Sequence, residues 1–383
     1  MCDSLHEEQK TGTKAIPVQQ AVGTVLAHDI TEIRPGQFKG RAFKKGHVIR
    51  EEDVCHLQRL GKEHLFVLQV AEDEMHENDA AHAIANALMG GGVEIKGEPK
   101  EGKIDLIAAR DGLLKIDREG LLRFNMLGEV MCATLHDNTV VKKGQTVAGT
   151  RAIPLVVKKG VVEEAVRIAA PPQPPLAKGR NRGGVVEVKE LRKPKAGVVI
   201  TGNEVYHGRI KDAFAPVITK KIEEMGGRLV GVYYAPDDKA FIVDRLRELL
   251  NAGADLLITT GGMSVDPDDV TRFAIRELGA TDITYGSAVL PGAMFLVGYL
   301  GIEQSAKGMG ENRSAPCALP SADVPILGIP ACGMYARTTI FDLVLPRILT
   351  GERIGRRELA ELGHGGLCLK CDPCKYPICP FGK

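Results

Sequence analysis

The chain has 383 residues, and its 50 Lys+Arg against 49 Asp+Glu leave a net charge of +1, so no overall field favours nucleic acid or an anionic membrane as partner. With 44% hydrophobic and 26% charged residues, it has the make-up of a soluble globular protein of roughly two to three domains, which excludes a single small module, a disordered chain and a disulfide miniprotein. Trp is absent and aromatics reach only 4%, too little for the stacking platforms that hold single-stranded nucleic acid.

Met1 to Lys10 is charged and has no apolar signal core, so the expectation is a cytoplasmic protein. Up to residue 170, short Val- and Ile-rich runs are broken by Gly-containing turns such as Asp111-Gly112, Glu119-Gly120 and Lys143-Gly144, a β-rich grammar. Only Asp79 to Met89 reads as a helix there. The Gly90-Gly91-Gly92 break suggests two β-rich parts, 14–72 and 73–170, the second a small barrel or sandwich with a hairpin at Val140 to Gly149. No catalytic cluster stands out in this half.

Pro171-Pro172-Gln173-Pro174-Pro175, then a flexible basic piece to Gly184, marks a linker over 171–194. After it, strand-length apolar runs alternate with amphipathic helical segments. Strands are expected at Ala196 to Thr201, Leu229 to Tyr234, Asp255 to Thr260 and Val324 to Ile329. Helices are expected at Ala213 to Met225, Lys239 to Asn251, Pro267 to Leu278 and Met334 to Ile348, the last interrupted near Pro346. In the second helix Ile242, Leu246, Leu249 and Leu250 fall on one face. Such alternation predicts an α/β domain over 195–351, a mostly parallel sheet with helices on both faces, whose ligands sit at the carboxyl ends of the strands. Ile283 to Ile302 is free of charge for 20 residues, but its Gly and Pro punctuation reads as two buried strands and a turn, not a membrane span. Glu303 to Asp323 reads as a polar surface loop.

Two strand ends carry the candidate chemistry. Thr201-Gly202-Asn203-Glu204 follows a buried run, with a glycine that lets a ligand approach the backbone and an amide and carboxylate beside it. Taken alone, a tight turn explains the same residues. Thr260-Gly261-Gly262-Met263-Ser264-Val265-Asp266-Pro267-Asp268-Asp269 opens a helix after another buried run. Paired glycines, amides and a serine suit a phosphate, and the aspartates beside it call for a divalent cation. Helix capping accounts for one or two of those aspartates without a ligand.

From about Lys195 to Gly351 the chain resembles the molybdopterin-binding domain of the molybdopterin molybdotransferase family (the bacterial MoeA and gephyrin E-domain type). The resemblance lies in Thr-Gly-Asn-Glu at 201–204, Gly208 to Asp212, Thr-Gly-Gly-Met-Ser-Val at 260–265, Asp269, Pro291-Gly292 and Gly328-Ile329-Pro330. More faintly, Leu26 to Ile30 and Phe43 to Gly46 look like the family's amino-terminal region. The resemblance implies molybdopterin or adenylylated molybdopterin as cofactor, Mg²⁺, molybdate as second substrate, AMP as leaving group, a homodimer and a molybdoenzyme client. It implies Glu204 and Asp269 as catalytic carboxylates. Thr201, Gly202, Asn203, Gly261, Gly262, Ser264, Asp266, Pro291, Gly292 and Pro330 would hold the cofactor. The chain departs from the family at Leu290-Pro291-Gly292-Ala293-Met294, which lacks two family lysines, and at Ile329-Pro330-Ala331-Cys332-Gly333. Losing two cations opposite an oxyanion favours binding of the pterin over insertion of molybdenum, so a non-catalytic carrier stands as the alternative.

The tail, 352–383, carries Cys368, Cys371, Cys374 and Cys379. Their spacing suits one metal centre, an iron–sulfur cluster ahead of Zn²⁺. Five further scattered cysteines argue against a disulfide framework.

Overall fold

A computed structural model describes residues 13–34, 38–68, 71–169, 184–263, 270–301, 323–377 and 379–383. The chain divides into two compact units, the first ending near Val188 and the second running from Lys189 to Lys383 with a short excursion at His136–Val140.

In the first unit, strand Thr13–Pro17 pairs with His64–Leu68, and Ile30–Arg34 with Phe38–Phe43, around a small core of Val18, Leu26, Ile30, Ile49 and Leu57. A second core lies on an antiparallel sheet ordered Val93–Lys100, Lys103–Ala108, Thr146–Ala152, Val130–Thr134. The expected helix is present as Glu77–Leu88, but three others stand where the sequence reads as strand and turn: Glu51–Arg59, Arg118–Asn125 and Lys159–Ala169. Each buries few large apolar side chains. Only Leu57 is buried in the first, and two of the four buried positions in the last are alanines. The supposed Glu119-Gly120 turn is a helix start, because the Asp117 carboxylate accepts from Gly120 N at 2.9 Å. Past the Pro-rich stretch, Val186–Lys189 is a strand.

The second unit holds a six-stranded sheet. In chain order its strands are β1 (Lys195–Thr201), β2 (Arg228–Ala235), β3 (Leu256–Thr260), β4 (Thr281–Tyr285), β5 (Leu296–Leu300) and β6 (Val324–Ile329), in spatial order β2-β1-β3-β6-β5-β4. The first four neighbours run parallel, while β5 pairs antiparallel with both β6 and β4. β4 and β5 are the two strands expected from the uncharged stretch. Alternation sorts the side chains. Val198, Ile200, Leu256 and Ile258 share a core with helices Phe214–Glu224 and Ile340–Leu349, whereas Val199 and Leu257 pack with Lys239–Asn251 and Thr271–Glu277 on the other face. Helices therefore cover both faces of a mainly parallel sheet, the α/β architecture the sequence predicts. Among the described residues, no helix is long and apolar enough to cross a membrane.

Pro346 does not end the last long helix; it sits inside Ile340–Leu349. The break falls before Thr339, which caps the helix by accepting from Phe341 N at 3.2 Å. A proline has no N–H, so the carbonyl four residues earlier, that of Asp342, loses its helical donor. The Tyr376 hydroxyl of the tail donates to that carbonyl at 3.3 Å. Tyr376→Phe is expected to lower stability by about 1 kcal/mol, with a smaller loss in a Pro346→Ala background, where the helix supplies its own donor. Thermal melts of the two single variants and the double variant measure the coupling; equal losses in both backgrounds would contradict it.

Candidate functional site

Strand register puts the candidate loops in one row. Thr201 lies opposite Ala235, Ile200 opposite Thr260, Thr260 opposite Ile329, and Gly328 opposite Leu296. The carboxyl ends of β2, β1, β3 and β6 therefore lie along one edge, joined by the start of antiparallel β5. Thr201 to Glu204, Thr260 to Met263, Pro291-Gly292 and Pro330 all leave from it. Ser264, Asp266 and Asp269 lie outside the described residues.

The two glycine loops touch. Thr201 Oγ1 donates to Thr260 O at 2.9 Å and lies 3.2 Å from Thr271 Oγ1. Gly261 has φ +80°, and a Cβ there would stand 2.8 Å from Thr201 Oγ1; at Gly262 it would strike Thr271 Oγ1. At Gly202, φ +140°, a Cβ would stand 2.8 Å from Glu204 Oε1. The sequence reading of these glycines as room for a ligand needs correcting: the space a side chain would take is filled by the protein's own Thr201, Thr271 and Glu204. They are required for loop-to-loop contact first.

Asn203 is likewise engaged. Its N–H donates to Asp237 Oδ2 at 3.0 Å, and its Oδ1 accepts from Asp237 N at 3.3 Å. The Asp237 carboxylate thus takes the amide at the start of the short helix Asn203–Tyr206, where a bound anion would otherwise sit. Glu204 is exposed in that first turn. Arg209 and Lys211, which follow it, are exposed cations, and Arg209 N donates to Glu204 O at 2.8 Å.

Two groups at the edge lack partners among the described residues: Thr260 Oγ1 and Arg272 Nε, both buried atoms. The Arg272 guanidinium lies 4.9 Å from the Phe273 ring centre and 5.7 Å from that of Tyr285. The Tyr285 hydroxyl in turn donates to Met263 O at 2.5 Å. The Arg272 guanidinium is thus linked, through the Tyr285 ring, to the carbonyl of the residue that follows the Gly-Gly pair. Sequence reasoning passed over Arg272 and Asp237 because their contacts with Tyr285 and Asn203 join residues distant in the chain. Met263 itself is buried against Gly328 and belongs to the core beneath the edge.

Pro291 and Gly292 are pinned rather than free, since Ile340 N donates to Pro291 O at 3.2 Å and Ser287 Oγ to Gly292 O at 3.0 Å. Pro330 is buried, and burial pushes the half-buried Cys332 thiol up, away from thiolate chemistry.

The tail borders this edge. Cys368 N donates to Leu290 O at 2.8 Å, one residue before Pro291. Cys368, Cys371, Cys374 and Cys379 all line one hollow with Thr338, Tyr376 and Phe381. Thr338 Oγ1 lies 3.5 Å from Cys374 Sγ, and this contact with the Tyr376 amide draws the Cys374 thiol below its ordinary value. Among the described residues, no three His, Cys, Asp or Glu side chains are gathered closely enough to hold a metal ion.

Comparison with known proteins bears on both units. Residues 197–350 match a family described as "Probable molybdopterin binding domain", and residues 15–69 match "Domain of unknown function (DUF8806)". A CinA-like protein of Mycobacterium leprae is 36% identical over 89 residues, 22% of this chain and 21% of that protein. One of Thermosipho melanesiensis is 37% identical over 91 residues, 24% and 22%. The chain thus spans about a fifth of the length of the curated relatives it matches. Among solved structures, the tungsten cofactor synthesizing protein MoaB of Pyrococcus furiosus aligns at 19% identity and TM-score 0.30, over 42% of this chain and 98% of that one. CinA of Thermoplasma acidophilum aligns at 16% and 0.31, over 41% and 99%. The fold rests on the strand order itself. The family match is confined to residues 197–350 and does not single out the molybdotransferase branch.

The loop contact is testable at Gly261. Gly253 has a similar φ, +85°, with nothing within 4 Å of a Cβ. Gly253→Ala is expected to cost about 1–2 kcal/mol from backbone strain alone, and Gly261→Ala clearly more, since Thr201 must also move. Chemical denaturation of both variants reads the difference; equal losses would mean that the two loops are not held together.

Proposed function

We propose that the edge formed by β1, β3 and β6 binds molybdopterin, free or adenylylated, and that the chain acts in molybdenum cofactor assembly. The observation that carries this reading is the single row of strand ends, with Thr201 to Glu204 and Thr260 to Met263 in direct contact and with Arg272 Nε and Thr260 Oγ1 lacking partners among the described residues. Of these, Arg272 Nε is the group that fits an oxyanion, because a guanidinium N–H donates to phosphate.

In the transferase form of this proposal, molybdate displaces AMP from adenylylated molybdopterin. Glu204 and Asp269 would hold Mg²⁺, which neutralises charge at the scissile phosphoanhydride when bound. Arg272 would orient the pterin phosphate, while Arg209 and Lys211 add positive charge at the mouth. A carrier that holds the cofactor without exchanging it is the second reading. Two observations favour it: the missing lysines of Leu290 to Met294 and the engagement of the Asn203 amide by Asp237.

Supplying adenylylated molybdopterin, Mg²⁺ and molybdate to the full chain tests both. The transferase reading expects AMP release that Glu204→Gln lowers by ~10²-fold or more with pterin retention preserved; a carrier retains pterin and releases no AMP. Arg272→Met should weaken retention about tenfold in either case, on the scale of one charged hydrogen bond. Absence of pterin retention by the unmutated chain would end both readings.

For the tail, we propose that the four cysteines, which line one hollow without yet being gathered at ligand distance, draw together around a metal centre when it binds, as their soft donor chemistry favours. After anaerobic reconstitution with iron and sulfide, or with Zn²⁺, the full chain should hold metal that Cys371→Ser reduces. Equal metal content in the variant would show that the tail is not the ligand set.

A further inference from the structure

The first unit contains a cavity of about 370 Å³ that the pterin reading does not use, within the size range of small-molecule sites. Its walls come from two stretches, 28–66 and 77–155, so neither forms it alone. His28, Asp29, Glu77, Glu101 and Arg151 line it, with Lys62 also on its wall and Phe66 and Leu155 as apolar surface.

Most polar groups nearby are accounted for. Asp29 accepts from Arg41 Nη1 and Lys45 N, both at 2.8 Å. Glu101 Oε1 accepts from Thr31 Oγ1 at 3.1 Å. His76 donates from Nε2 to Ala27 O at 3.0 Å and accepts at Nδ1 from Asn78 N at 3.1 Å; burial lowers its pKa, so it is a neutral structural cap.

Three groups are not accounted for among the described residues. His28 Nδ1 and Arg151 Nε are buried without a partner. Glu77 is only 5% exposed; the Arg151 charge faces it, but no hydrogen bond to its carboxyl group is present among the described residues. A buried acceptor and buried donors of opposite charge, on the wall of one cavity, call for a ligand that supplies both complements.

We propose that this cavity binds a small zwitterion of the amino-acid type, its carboxylate on Arg151 and His28 and its ammonium on Glu77. A pure anion would leave Glu77 buried beside it, and a pure cation would leave Arg151 unmet. The three-donor arrangement that a metal ion needs is not present there among the described residues.

The site has a pH signature. Burial raises the Glu77 pKa from 4.5 to about 7. Arg151, facing it from strand Thr146–Ala152, and Lys45 oppose the rise; Glu101 and Asp29 add to it. His28 is held neutral by burial, with Lys62 acting in the same sense. Because the folded pKa is raised, the stability linked to Glu77 is full below about pH 4.5 and is lost as the pH rises through about 7. Ligand affinity runs the other way, since the ammonium needs the ionised carboxylate, and it should rise roughly tenfold from pH 6 to pH 8.

Isothermal titration of the full chain with each of the twenty standard amino acids, and with acetate and ethylamine as single-charge controls, tests this. At least one amino acid should bind one to one and tighten roughly tenfold from pH 6 to pH 8, while neither control binds comparably. Glu77→Gln removes a buried acid, so it should fold with equal or greater stability at pH 8 while losing the binding. Arg151→Met should lose it as well. Silence across the panel, controls that bind as tightly as the zwitterion, or undiminished binding by Glu77→Gln would each overturn the proposal.

Discussion

The second unit depends on the parallel register of β1, β3 and β6. Because Ile200, Thr260 and Ile329 stand side by side, three loops from distant parts of the chain are delivered to one edge. The hydrogen bond from Thr201 to the Thr260 carbonyl then locks two of them together. Parallel strands need covering helices on both faces, and the alternating burial of Val198, Val199 and Ile200 meets that need. Burial of the sheet and exposure of the edge are thus two results of one pattern.

That constraint changes how the glycines are understood. In sequence, Gly202, Gly261 and Gly262 look like openings for a ligand. In the fold they are contact points, and Glu204, Thr201 and Thr271 take the space. Arg272 Nε and Thr260 Oγ1, which lack partners among the described residues, speak more directly for a ligand than the missing side chains do. The same logic singles out His28, Glu77 and Arg151 in the first unit.

Much of the second unit was legible because long apolar runs and a 3.6-residue period are local signals. Helix Lys239–Asn251 and strand Val324–Ile329 have the same ends in structure as in sequence. The first unit was less legible. Helix Lys159–Ala169 buries small alanines, and the helix at Arg118–Asn125 carries in its first turn a glycine that reads as a turn. Positions at the candidate edge followed the same rule: the place of Thr201 and Gly261 at strand ends could be read locally. Asp237 and Arg272 could not, because their roles depend on partners that only the folded sheet brings near. Pro346 shows the converse, a local breaker overruled by Tyr376 from the tail.

The central claim is that the cofactor is held at the carboxyl edge of the sheet. Amide hydrogen exchange of the full chain, with and without molybdopterin, addresses it residue by residue. The account predicts slowed exchange confined to the loops after β1 and β3 and the start of helix Thr271–Glu277. Slowed exchange elsewhere with those loops unchanged would contradict it.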